Sequence, residues 1–142
     1  MAKYVKPTLE TKFHIDFAWW QKKGQNLRAH LQSHACPEAQ KLYEDLGQDQ
    51  KFDWINPETG EVFQIDMLWY IIYTHCGQES DFINAPAPLI SAIFRAFIAN
   101  NNKPLTPIEL HKQLQKKTPE LILKTIGRRQ VYRGIRPVVT SI

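Results

Sequence analysis

Cysteine is scarce: Cys36 and Cys76 are the only two in 142 residues, too few to frame a disulfide scaffold. A chain of this length can bury a core without such staples, so both are read as reduced thiols. No stretch approaches the roughly eighteen uninterrupted apolar residues of a membrane span, and Met1 to Pro7 lacks the apolar run of a secretory signal. The expectation is a soluble, cytoplasmic protein with no membrane partner. Gly-rich phosphate loops, a Walker sequence, His-Glu-x-x-His and Gly-x-Ser-x-Gly are all missing. An enzyme would have no recognisable machinery here, and the reading is a non-catalytic chain with no cofactor and no metal site.

Acid is scarce at one end. Beyond Pro86 only Glu109 and Glu120 oppose 10 Lys and Arg, whereas the chain up to Pro86 holds 12 Asp and Glu against 8 Lys and Arg. The two parts therefore carry formal charges of +8 and −4 within a net +4. A basic surface concentrates polyanions and releases their counterions on binding, so a polyanion belongs at the C-terminal end.

Residues 1–12 read as an extended arm, since Pro7 blocks a helix. Phe13, Ile15 and Phe17 alternate with His14 and Asp16, the pattern of a half-buried strand. Gln21 to Ser33 suits a short surface helix weakened by Gly24, and Pro37 to Gly47 a cleaner one, with Ala39, Leu42, Tyr43 and Leu46 on its inner face. Phe52–Ile55 and Glu61–Ile65 flank the turn Asn56-Pro57-Glu58-Thr59-Gly60 as a β-hairpin. Asp66 is placed to cap an apolar helix from Met67 to Cys76, ended by Gly77. Gln78 to Pro88 has linker composition and coincides with the charge switch. The organisation expected is an arm (1–12), an acidic aromatic-rich α+β part (13–86) and a basic part (87–142).

In the basic part Leu89, Ile90, Ile93, Phe94, Phe97 and Ile98 form one wide apolar helical stripe that stops at Asn100-Asn101-Asn102. Thr106-Pro107-Ile108-Glu109 is a capping box with Pro at the first helical position, and Thr118-Pro119-Glu120 opens another helix the same way, stopped by Gly127. Gln130 to Val139 follows as extended chain. This order of three helices and a strand resembles a winged-helix or helix-turn-helix domain, over about residues 88–142. The fold class expected is thus α+β and mainly helical: a mixed N-terminal part with a β-hairpin, packed on a winged-helix-like three-helix module.

The resemblance implies that the Thr118–Ile126 helix enters a major groove while the chain after it touches the backbone. The residues it nominates for nucleic-acid contact are Lys116, Lys117, Lys124, Thr125, Arg128 and Arg129, with Arg133 and Arg136 as wing contacts. DNA stands ahead of RNA, and the implied role is a transcription regulator or a subunit of a nucleic-acid-associated complex. Trp19, Trp20 and Trp54 exceed what a small acidic part normally buries, and exposed Trp anchors protein interfaces, so they are candidates for docking a protein partner or a second copy. Two other readings stay open. One is a scaffold or adaptor subunit that uses the same fold for protein docking. The other is a zinc- or thiol-dependent enzyme built on His34, Cys36, His75 and Cys76. Adjacent His75 and Cys76 would point about 100° apart on a helix, which argues against a shared metal.

Overall fold

The computed structural model describes residues 6–24, 26–46, 50–79, 81–115 and 117–138. The fold is α+β and mainly helical, with two small antiparallel sheets of two strands each. Among the described residues no helix is long and apolar enough to cross a membrane.

β1 (Phe13–Ile15) turns Phe13 and Ile15 inward, as its alternation requires. The strand does not continue to Phe17. Asp16 accepts the Ala18 N–H at 3.0 Å and starts α1 (Phe17–Lys22), which carries Phe17, Trp19 and Trp20. The one helix expected over Gln21–Ser33 is likewise two, because Gly24 sits at φ +63° beyond α1 and Asn26 caps α2 (Leu27–Gln32). α3 (Pro37–Leu46) begins at its proline, yet only Ala39 and Tyr43 are buried; Leu42 and Leu46 are 37% and 52% exposed.

β2 (Lys51–Ile55) and β3 (Val62–Asp66) form the hairpin, with Trp54 opposite Phe63. Asp66 then does more than cap α4 (Met67–Ile71). One oxygen accepts the Leu68 N–H at 3.0 Å; the other accepts from Arg28 Nε at 2.6 Å and from the Tyr43 hydroxyl at 2.9 Å. A carboxylate only 6% exposed is tolerated because a guanidinium pairs with it and both of its oxygens accept hydrogen bonds. α4 runs on as a single π-helical turn, Ile72–Cys76.

The segment of linker composition contains a short helix, α5 (Asp81–Asn84). α6 (Leu89–Ala99) buries Ile93, Phe94, Phe97 and Ile98 completely, each worth about 2 kcal/mol of apolar burial. α7 (Pro107–Leu114) opens with both bonds of the Thr106–Glu109 capping box, and α8 (Pro119–Ile126) opens on the Thr118 cap and stops at Gly127. Of the extended chain expected over Gln130–Val139, only β4 (Ile135–Pro137) is strand; Val139 lies outside the described residues. Ahead of it Arg133 and Gly134, at φ +56° and +77°, make a two-residue turn closed by Ile135 N–H to Tyr132 C=O at 3.0 Å. Two successive positive φ values are the mark of a primed hairpin turn.

β4 pairs with β1, Ile135 opposite Ile15, and Phe13 also bridges Leu105 on its other side. The two ends of the chain therefore close one small sheet. The stop of α6 completes the join. Asn102, 1% exposed, bonds the Ile15 N–H and C=O at 2.8 Å each, and Asn101 accepts the indole N–H groups of Trp54 and Trp69 at 2.9 and 3.0 Å. The acidic and basic parts share one continuous core running from Phe13 and Trp69 through Phe94 to Ile122. The described end of the N-terminal arm is tied to it, with Pro7 buried and Lys12 C=O accepting the Val138 N–H at 2.9 Å.

Candidate nucleic-acid interface

α8 puts Ile122 and Ile126 into the core, which leaves Glu120, Leu121 and Lys124 on its outer side. Lys117 before it and Arg128 and Arg129 after it are also exposed, and Arg128 Nε donates to Lys124 C=O at 3.3 Å, holding it beside the last turn. Thr125 is half-buried and its hydroxyl donates to Leu121 C=O at 2.8 Å. Lys116 lies outside the described residues. Five of the eight nominated residues thus gather around α8. A fifth cation joins the four among them without having been nominated: Lys6, with Pro7 and Leu9, faces Lys124 and Arg128 across an open groove of about 510 Å³.

The two wing arginines part company. Arg136 turns to β1 and pairs with Asp16 at 3.5 Å. Arg133 stays at the tip of the primed turn, where its guanidinium donates to Ser91 Oγ at 2.9 Å and its carbonyl accepts the Trp20 indole N–H at 3.0 Å. Arg133 and Tyr132 line an opening of about 330 Å³ with Ile90, Thr125 and Arg128, so this turn borders the α8 cluster.

Trp20 and Trp54 are not exposed anchors. At 6% and 4% exposure they belong to the core, because that core draws on both parts of the chain and has room for more rings than the acidic part alone could cover. Trp19 differs: it is half-buried, edge-on to Trp20 at 5.3 Å, and lines a second open groove of about 590 Å³ with His30, Tyr132 and Arg133.

His30 and His34, one turn apart on α2 and just after it, stack on Trp20 and Phe94 respectively. Arg95 Nε, always a donor, gives its hydrogen to His34 Nδ1 at 3.0 Å. His34 must then carry its proton on Nε2 and donate it to His30 Nε2, 3.3 Å away. That fixes the His30 proton on Nδ1, which has no protein partner among the described residues. Burial above all pushes His30 down to about 4, with Arg133 adding to it, and His34 down to about 3, with His30, Arg95 and Arg133 adding to it. Both rings are neutral at physiological pH, and His30, which lines that groove, carries its N–H on Nδ1.

No protein-family model, curated protein or solved structure matches this chain.

The cysteines do meet. Cys36 N–H donates to Cys76 Sγ at 3.2 Å, and burial, then contact with Cys36, pushes the Cys76 thiol up to about 12, so it is protonated at neutral pH. His34 is engaged by Arg95 and His75 is exposed. Among the described residues no three His, Cys, Asp or Glu side chains are grouped to hold a metal ion. Asp16 caps α1 and pairs with Arg136.

Proposed function

We propose that this chain is a non-catalytic nucleic-acid-binding protein, duplex DNA ahead of RNA, in which α6, α7 and α8 with the Tyr132–Pro137 segment act as a winged-helix-like module. The observation that carries this is the clustering of Lys117, Lys124, Arg128 and Arg129 on and around the outer side of α8, joined by Lys6 and bordered by Arg133. Glu120 is the one carboxylate on that helix. The residues that would neutralise phosphates are Lys117, Lys124 and Arg128, and a guanidinium fork at Arg128 or Arg129 would suit a guanine edge. α8 is eight residues long and exposes few groups able to read bases, so backbone contact dominates the proposed interaction.

The test is the pair Lys124→Ala with Arg128→Ala in the 142-residue chain. Both side chains are exposed, so unfolding should be unchanged, while the slope of log K against log salt should become shallower by about 1.8, about 0.9 per phosphate contact. An unchanged slope would remove α8 from the interface. A second reading, an adaptor that docks a protein through the same helices, is favoured by Ile108 and Leu121, each 42% exposed on α7 and α8. It predicts a partner complex that survives moderate salt and is lost on Leu121→Asp.

A further inference from the structure

The groove between the Tyr132–Arg133 turn and the α1–α2 corner is not part of the α8 surface, yet it adjoins it through Tyr132 and Arg133, which border both openings. Its volume of about 590 Å³ lies within the roughly 300–1,000 Å³ typical of small-ligand sites. Two aromatic side chains on its wall are partly free, Trp19 half-buried and Tyr132 43% exposed. Asn26 and Ser33 also line it, and three of its lining residues carry donors left unused. The Trp19 indole N–H, the fixed His30 Nδ1–H and the Arg133 guanidinium N–H groups beyond the one given to Ser91 have no protein partner among the described residues. Donors beside flat rings suit a ligand that is planar and rich in acceptors, with an anionic group nearby. The Arg133 side chain is held for this by Ser91, and the turn by the Trp20 bond to the Arg133 carbonyl.

We propose that this groove takes a single unpaired nucleotide of a bound strand, its base against Trp19 and Tyr132 and its phosphate toward Arg133 and Arg128. The inference rests on the nucleic-acid reading and adds a substrate class to it: duplex ends, overhangs or bulges in preference to continuous duplex. A strand is the source because the groove opens beside the cations of α8, where the adjoining duplex would lie.

The experiment compares, by fluorescence polarisation and tryptophan quenching at one moderate salt concentration, a blunt duplex with the same duplex bearing a short single-stranded overhang. The overhang should bind about tenfold tighter and quench tryptophan emission, as expected for one stacked base. Tyr132→Ala and Trp19→Ala should erase that advantage, bringing the ratio of the two affinities to about one, and Tyr132→Phe should keep it. Tyr132 is a surface side chain, so its variant reports binding even if the Trp19 variant loses stability. Equal affinity for the two duplexes, or an advantage that survives Tyr132→Ala, overturns the nucleotide site and leaves the α8 reading intact. A free mononucleotide that quenches as strongly as the overhang overturns the strand as the source. Binding to neither duplex fails the α8 reading, and this inference with it.

Discussion

Asn102 acts in place of a strand neighbour. Held at φ +62° and 1% exposed, it satisfies the N–H and the C=O of Ile15 at once, on the strand that closes the chain ends together. Asn102→Ala leaves both backbone groups buried without partners and should cost about 3 kcal/mol in urea unfolding, lowering Tm by about 10 °C. A loss below about 1 kcal/mol would mean the two bonds are not made. Gly134 is the other residue with no substitute. At φ +77° an added Cβ would meet Trp20 Nε1 at 2.7 Å, so Gly134→Ala should cost about 1–3 kcal/mol and shift the tryptophan emission as Trp20 loses its bond to the Arg133 carbonyl.

Among the elements, α2 and its neighbours make stability depend on acid. In the folded protein His30 and His34 sit near 4 and 3, against an ordinary 6.5. Above about pH 6.5 both states are neutral and nothing is lost. Below it the unfolded chain takes up protons that the folded one refuses, so stability falls as pH drops toward 4 and then 3. Tm should therefore decline from pH 7 to pH 5, and His30→Gln with His34→Gln should flatten that decline; an equally steep decline in the double variant would place its cause elsewhere. The elements themselves were legible wherever the signal is local. The Thr106 and Thr118 caps, the Asp66 cap and the Pro57–Gly60 turn depend on residues within a few positions of one another, and each appears at its expected place. Leu42 and Leu46 depart from the expected inner face because a helical stripe reports which residues are apolar, not how wide a face their neighbours cover. The β1–β4 pairing was not legible at all, since strands of three residues more than a hundred positions apart carry no local mark of their partner.

For the whole molecule, that same pairing decides what the charge asymmetry means. The +8 and −4 parts are interlocked through one core, so a fragment ending at Ala87 would lack α6, β4 and the Asn101–Asn102 join, and is expected to unfold without a cooperative transition. A sharp, protected transition in that fragment would contradict the shared core. The candidate site divides along the same line. Its cations were legible from composition, because charge needs no fold to be counted. The groove of Trp19, His30, Tyr132 and Arg133 was not, because closing the chain ends is what brings α1 and α2 to the primed turn.

The most direct measurement is fluorescence-polarisation titration of the 142-residue chain with random-sequence duplex DNA and RNA at two salt concentrations. With Lys117, Lys124 and Arg128 on phosphates, log K should fall with log salt at a slope of about −3 on DNA, at micromolar affinity or better in the lower salt. No binding at the lower salt, or an affinity that does not change between the two, would contradict the account.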